Sequence, residues 1–111
     1  MMRKRSTTYS PQLKIVKLRK ESELIAVERL IRRLNEDLAE AQILRYKASE
    51  LLASPPLHMR KALGAVAYST HVEKLDNDIV EIQLRLNKCY VTRKILTTYL
   101  AHLEEILNET N

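Results

Sequence analysis

The stretch VEKLDNDIVEIQLRLNKCYVTRKILTTYLAHLEEIL, residues 72–107, decides the fold. Counted in sevens, Val72, Ile79, Leu86, Arg93, Leu100 and Leu107 fall on one position, a. Tyr68, just upstream, and Leu75, Ile82, Cys89, Leu96 and Leu103 fall on a second, d. Only Arg93 interrupts this 3-4 alternation, which is the sequence signature of a coiled-coil helix. The first half of the chain carries the same pattern. Leu24, Ile31, Leu38, Arg45 and Leu52 occupy a, and Val27, Leu34, Ala41 and Ala48 occupy d, with Arg45 as the exception.

The breakers divide the two patterns. Gly occurs once and Pro three times in 111 residues. Ser54-Pro55-Pro56 stops the first pattern, because each proline restricts its predecessor and cannot donate to the helix ladder. Ser10 suits an N-cap and Pro11 a first helical turn. The expected layout is a basic, flexible arm over 1–10 and a single helical hairpin over 11–111. The hairpin comprises a helix over 11–53, a connector over 54–64 and a helix over 65–108. The first helix is on the order of 60 Å long at about 1.5 Å per residue. The short connector predicts an all-α fold, an antiparallel coiled-coil hairpin of two long helices. Matching a with d predicts facing residues whose numbers total about 120: Leu24 with Leu96, Ile31 with Cys89, Leu38 with Ile82, and Leu52 with Tyr68. Arg45 then faces Leu75, and Arg93 faces Val27 between Glu23 and Glu28.

Charge is concentrated at one end. Residues 1–20 contain seven Lys/Arg (Arg3, Lys4, Arg5, Lys14, Lys17, Arg19, Lys20) and no acid, whereas the overall net charge is only +5. That asymmetry favours a local acidic docking partner over nucleic acid bound along the whole length. Nucleic acid held by this basic end through phosphate contacts is the rival reading. No apolar run approaches the roughly 18 residues of a membrane span, and the start lacks a secretory hydrophobic stretch, so a cytoplasmic protein is expected. A lone cysteine, Cys89, fits a reducing compartment. Its d position reads as that of a small core hydrophobe.

Nothing in the sequence resembles catalytic or cofactor machinery. His58, His71 and His102 stand far apart, with no metal-ligand spacing. Glu73, Asp76, Asp78 and Glu81 do not follow a calcium-loop pattern and read as a solvated helix face. One glycine cannot build a phosphate-cradling loop. The expectation is a non-enzymatic protein without cofactor or metal, acting through protein partners or further copies of itself.

The off-seam residues say where such partners bind. Leu30, Leu44 and Leu51 lie on g positions and widen the seam. Val80, Leu84, Val91 and Ile95 recur at spacings of four and seven, away from a and d. A hairpin alone leaves them in water, so they are read as a partner surface, together with Lys14, Lys17, Arg19 and Lys20 at the basic end.

Two stretches carry a family resemblance. Tyr9-Ser10-Pro11-Gln12-Leu13-Lys14-Ile15-Val16-Lys17-Leu18-Arg19-Lys20-Glu21 resembles the opening of the FliJ/YscO-like stalk proteins of flagellar and type III secretion systems. Tyr68-Ser69-Thr70-His71-Val72-Glu73-Lys74-Leu75-Asp76-Asn77-Asp78-Ile79 resembles the start of their second helix. The resemblance implies a hairpin inserted in the central opening of a hexameric export ATPase, which also contacts the export gate and substrate chaperones. It further implies that the end holding both termini enters the ring. There Lys14, Lys17, Arg19 and Lys20, opposite Leu100, Leu103 and Leu107, would meet acidic loops. The alternative is a prefoldin-like or tubulin-cofactor-like helical chaperone subunit. Prefoldins carry β-hairpins between their helices, and Leu63-Gly64-Ala65-Val66-Ala67-Tyr68 is the one stretch here that could supply a strand.

Overall fold

The computed structural model describes the backbone over residues 2–53 and 64–110, and side chains over 11–51, 53 and 69–109. The fold is an all-α helical hairpin of two long helices, α1 (Met2–Ala53) and α2 (Gly64–Thr110). α1 stops directly before the Ser54-Pro55-Pro56 sequence. α2 opens on Gly64, one residue earlier than the heptad count places it, and continues to Thr110 rather than 108. The connector expected at 54–64 otherwise lies outside the described residues, as do the side chains of Leu52 and Tyr68 and hence their pairing.

The arm expected over residues 1–10 is helical from Met2, which places Pro11 inside α1. Proline withholds one N–H from the carbonyl four residues back, a local cost of about 3 kcal/mol in a helix interior. No glycine or second proline accompanies it. A single missing bond weakens the ladder at Thr7 without ending it. Neither helix has an acid in its first turn or a base in its last, so charge does not complement the helix dipole at either end. Helices of this length are therefore held by packing of their apolar stripe.

The chain divides into two compact units, each built from one segment of α1 and one of α2. The first comprises Met1–Ile31 and Lys88–Asn111. Within it Lys17 Nζ lies 3.4 Å from Glu104 Oε1, and Lys20 Nζ lies 5.6 Å from the centre of the Tyr99 ring. Moving up α1 means moving down α2, so the segments are antiparallel, and both pairs of numbers total about 120. That register sets Ile31 level with Cys89 and Leu24 level with Leu96. Ile31, Cys89, Leu96, Leu103 and Leu107 are buried, and Leu24, Val27 and Leu100 are half-buried.

The second unit comprises Arg32–Asn87. Arg45 Nε donates to Asp76 Oδ1 at 2.8 Å, again giving a total near 120. Leu34, Ala41, Ala48, Leu75 and Leu86 are buried there, and Leu38, Val72, Ile79 and Ile82 are half-buried. Ala41 and Ala48 supply the small side chains of this unit's seam. All ten buried apolar residues belong to the a and d sets, with no buried polar residue among the described ones. No side chain in that set is below 2 % exposed. The core of each unit is therefore a seam rather than an enclosed interior.

The two seam arginines behave differently. Arg45 is half-buried and reaches past Leu75 to Asp76, whose carboxylate holds the guanidinium above its ordinary pKa by a hydrogen bond and by charge. Arg93 is exposed, with its guanidinium 5.1 Å from the centre of the Tyr90 ring, and Glu23, expected beside it, pairs with Lys20. A long cationic side chain at a seam position can turn outward while its stem covers the seam. At 93 the aromatic face stands in for a carboxylate.

Two measurements check this seam. Ile31→Cys, with the native Cys89 kept, is expected to form an intrachain disulfide on mild oxidation; a chain that stays reduced or cross-links only between molecules contradicts the register. Leu86→Ala is expected to cost about 2–3 kcal/mol in chemical unfolding, the low end for a buried leucine in a shallow core.

Candidate interaction surfaces

Fifteen large apolar side chains are exposed among the described residues, against ten buried apolar residues, two of which are alanines. A two-helix fold has one contact stripe per helix, so apolar residues outside a and d have nowhere internal to go. These residues define the candidate surfaces, taken here unit by unit.

In the first unit Val91 and Ile95 are 59 % and 62 % exposed. With Lys94, Thr98, Tyr99 and His102 they line a shallow apolar groove along α2. Sequence reading identified Val91 and Ile95 but missed Tyr99, which is 43 % exposed and sits four residues beyond Ile95. Its aromatic type at i+4 was the available signal. Thr92 and Thr97 donate their hydroxyls to the carbonyls of Lys88 and Arg93. This back-bonding satisfies polar groups on an exposed helix without a partner.

The basic end lies in the same unit. Lys17 is already engaged by Glu104, and Lys20 by Glu23 at 3.2 Å and by the Tyr99 ring. Lys14 and Arg19 are exposed, and neither forms an ion pair among the described residues. The four predicted basic contacts thus split into two internally used and two available. A groove between the helices runs past Lys14, Lys17, Leu18 and Glu21 of α1 and Leu107 and Asn108 of α2. Ile15 and Leu18, 57 % and 67 % exposed, are apolar neighbours of the free cations. Heptad counting passed over both because it scores only the inward stripe.

In the second unit Val80 and Leu84 are exposed, as predicted for partner-facing residues. Leu44 and Leu51, read as widening the seam, are 45 % and 38 % exposed and so remain largely in water. Leu30, in the first unit, is 46 % exposed and does the same. Ile43 and Tyr46, not singled out from sequence, join Ala39, Gln42, Lys47 and Glu50 around an open depression on α1. The Tyr46 hydroxyl is hydrogen-bonded to Glu50, which holds its pKa above the ordinary phenol value, first through the hydrogen bond and then through charge.

A second groove in this unit crosses both helices. Asp37, Glu40, Ala41 and Leu44 of α1 face Leu75, Asp78, Glu81, Ile82 and Arg85 of α2. Arg85 Nη2 pairs with Glu81 Oε1 at 2.8 Å. Among the described residues no group of three His, Cys, Asp or Glu is placed to hold a metal ion, and no helix is long and apolar enough to cross a membrane. Cys89 is buried on the seam, as a d-position thiol is expected to be.

Comparison with protein-family models, curated proteins and solved structures finds no significant match.

The inside and outside of α2 are separable by mutation. Leu84→Glu and Val91→Glu are expected to leave helical content unchanged and stability within about 0.5 kcal/mol. Leu86→Glu, two residues beyond Leu84, places an unpaired charge on the seam and is expected to unfold the hairpin. Circular dichroism during thermal unfolding checks both, and equal effects at 84 and 86 contradict the assignment of faces.

Proposed function

We propose that this chain is a non-enzymatic, cytoplasmic coiled-coil adaptor that works by binding proteins. The observation that carries this reading is the excess of exposed over buried large apolar side chains in a fold with only one internal seam. Such a surface is stable in water but gains free energy when a partner covers it. Val91, Ile95 and Tyr99 in one unit and Val80 and Leu84 in the other are the apolar contacts. Lys14 and Arg19 are the charged ones, because their cations are not consumed internally, whereas Lys17 and Lys20 serve the hairpin itself.

The sharpest form of the proposal is the central stalk of a type III secretion export ATPase, which also contacts chaperones or the export gate. Its support is the resemblance of residues 9–21 and 68–79 to the FliJ/YscO-like family, joined to a helical hairpin. In that role the unit holding both terminal segments, with Lys14 and Arg19 exposed, enters the ring and meets acidic loops. The prefoldin-like alternative is less well supported. Its β-hairpin has no counterpart among the described residues, where α2 runs helically from Gly64.

Pull-down with a hexameric export ATPase tests the stalk reading. Lys14→Glu with Arg19→Glu is expected to abolish capture, and Lys17→Glu with Lys20→Glu to weaken it less. Unchanged capture by the first pair removes the basic-end contact, and no capture by the unmodified chain removes the stalk role. Capture of single-stranded or duplex nucleic acid that weakens steeply with salt, and is lost in the first pair, favours the phosphate-binding reading instead.

A further inference from the structure

The acidic groove of the second unit has a chemical complement elsewhere in the same chain. The groove has an apolar floor, with Ala41 and Leu75 buried and Ile82 half-buried. Each wall carries two acids, Asp37 and Glu40 from α1 and Asp78 and Glu81 from α2. Glu81 is occupied by Arg85. Asp37, Glu40 and Asp78 form no ion pair among the described residues. A helix that fits such a groove needs an apolar ridge with a cation on either side.

Residues 14–19 of α1 have that arrangement. At about 100° per residue, Leu18 and Ile15 lie at the centre of one face, with Lys14 on one flank and Arg19 on the other. The centre of this face points away from the seam, and Lys14 stands at the edge of the groove beside Leu107. All four side chains are exposed, and Ile15 and Leu18 are among the most exposed large apolar groups described. Residues 11–20 contain four bases and no acid. The two cations left free in the first unit flank an apolar ridge, as the three acids left free in the second flank an apolar floor.

We propose that the chain self-associates by seating the Lys14–Arg19 face of one copy in the Asp37/Glu40–Asp78/Glu81 groove of another. Ile15 and Leu18 cover Leu44 and Ile82, while Lys14 and Arg19 each meet one acidic wall. Cations on both flanks of an apolar strip match acids on both walls of an apolar groove, which selects this face of the helix for docking. This interface does not depend on the identity of any other partner. It uses the same two cations as the stalk reading, so a self-associated chain cannot engage an acidic ring at the same face.

A charge-swap experiment on the purified full-length chain tests this without any second protein. By sedimentation velocity the unmodified chain is expected to form dimers or larger species at about 0.1 M salt, where the screening length is about 10 Å. It is expected to be monomeric near 1 M, where that length is about 3 Å. Lys14→Glu with Arg19→Glu is expected to be monomeric alone, as is Asp37→Lys with Asp78→Lys. An equimolar mixture of the two variants regains the complex, because the unaltered basic face of one meets the unaltered acidic groove of the other. Circular dichroism of each variant shows an intact helix, since all four positions lie off the seam. A chain that stays monomeric at about 1 mM in low salt, or a complex that survives either reversal, overturns the proposal. Failure of the mixture to reassociate overturns it too. A complex lost on Val91→Glu and Ile95→Glu but kept by both charge reversals assigns self-association to the apolar groove of α2 instead.

Discussion

Each unit of this molecule hangs on aliphatic contact between a segment of α1 and an antiparallel segment of α2. Ile31, Leu34, Leu75, Leu86, Cys89, Leu96, Leu103 and Leu107, with the alanines at 41 and 48, are its buried residues. Each fully buried aliphatic side chain contributes about 1.5–3 kcal/mol, and these are only nearly buried. The helices gain little from their ends, which lack complementary charge. Nor do they gain much from ion pairs, which are exposed or half-exposed and weak in water. Ion pairs here set direction and register more than stability. Lys17 with Glu104 and Arg45 with Asp76 each occur beside the seam at the level that the heptad count requires.

A single seam has a consequence for the rest of the surface. Two helices can hide only the residues that face each other, and this sequence is richer in aliphatic groups than that. The residues left over are not scattered at random in type. Val91, Ile95 and Tyr99 follow one another at i and i+4 along α2, and Ile15 and Leu18 sit between unpaired cations on α1. The proposed function rests on these outer faces, through apolar contact and charge placement.

Much of this was legible before any coordinates. Strict 3-4 spacing in two halves separated by Pro55-Pro56 is enough to predict two helices, their seam and their antiparallel pairing, because periodicity maps directly onto helix faces. Every described a or d residue except Arg93 is buried or half-buried. Arg93 escaped because a heptad position specifies where Cβ points, not where a long side chain ends. Residues 1–10 escaped for a related reason. Ser10-Pro11 is a helix-start signal, yet a proline also occurs inside helices when the flanking residues carry the ladder on. The split among Lys14, Lys17, Arg19 and Lys20 depended on residues across the seam, Glu104 and Tyr99, and is invisible to a reading of one helix alone.

α2 buries one stripe and exposes the remainder, a division that cysteine alkylation rates read out site by site. In a Cys89→Ala background, single cysteines are placed at 84, 86, 91 and 96, and the unmodified chain reports on Cys89 separately. Fast modification is expected at 84 and 91 and strong protection at 86, 89 and 96, with protection lost together on denaturation. Uniform rates, or protection at 84 and 91 in the isolated chain, would contradict the seam and with it the surfaces built upon it.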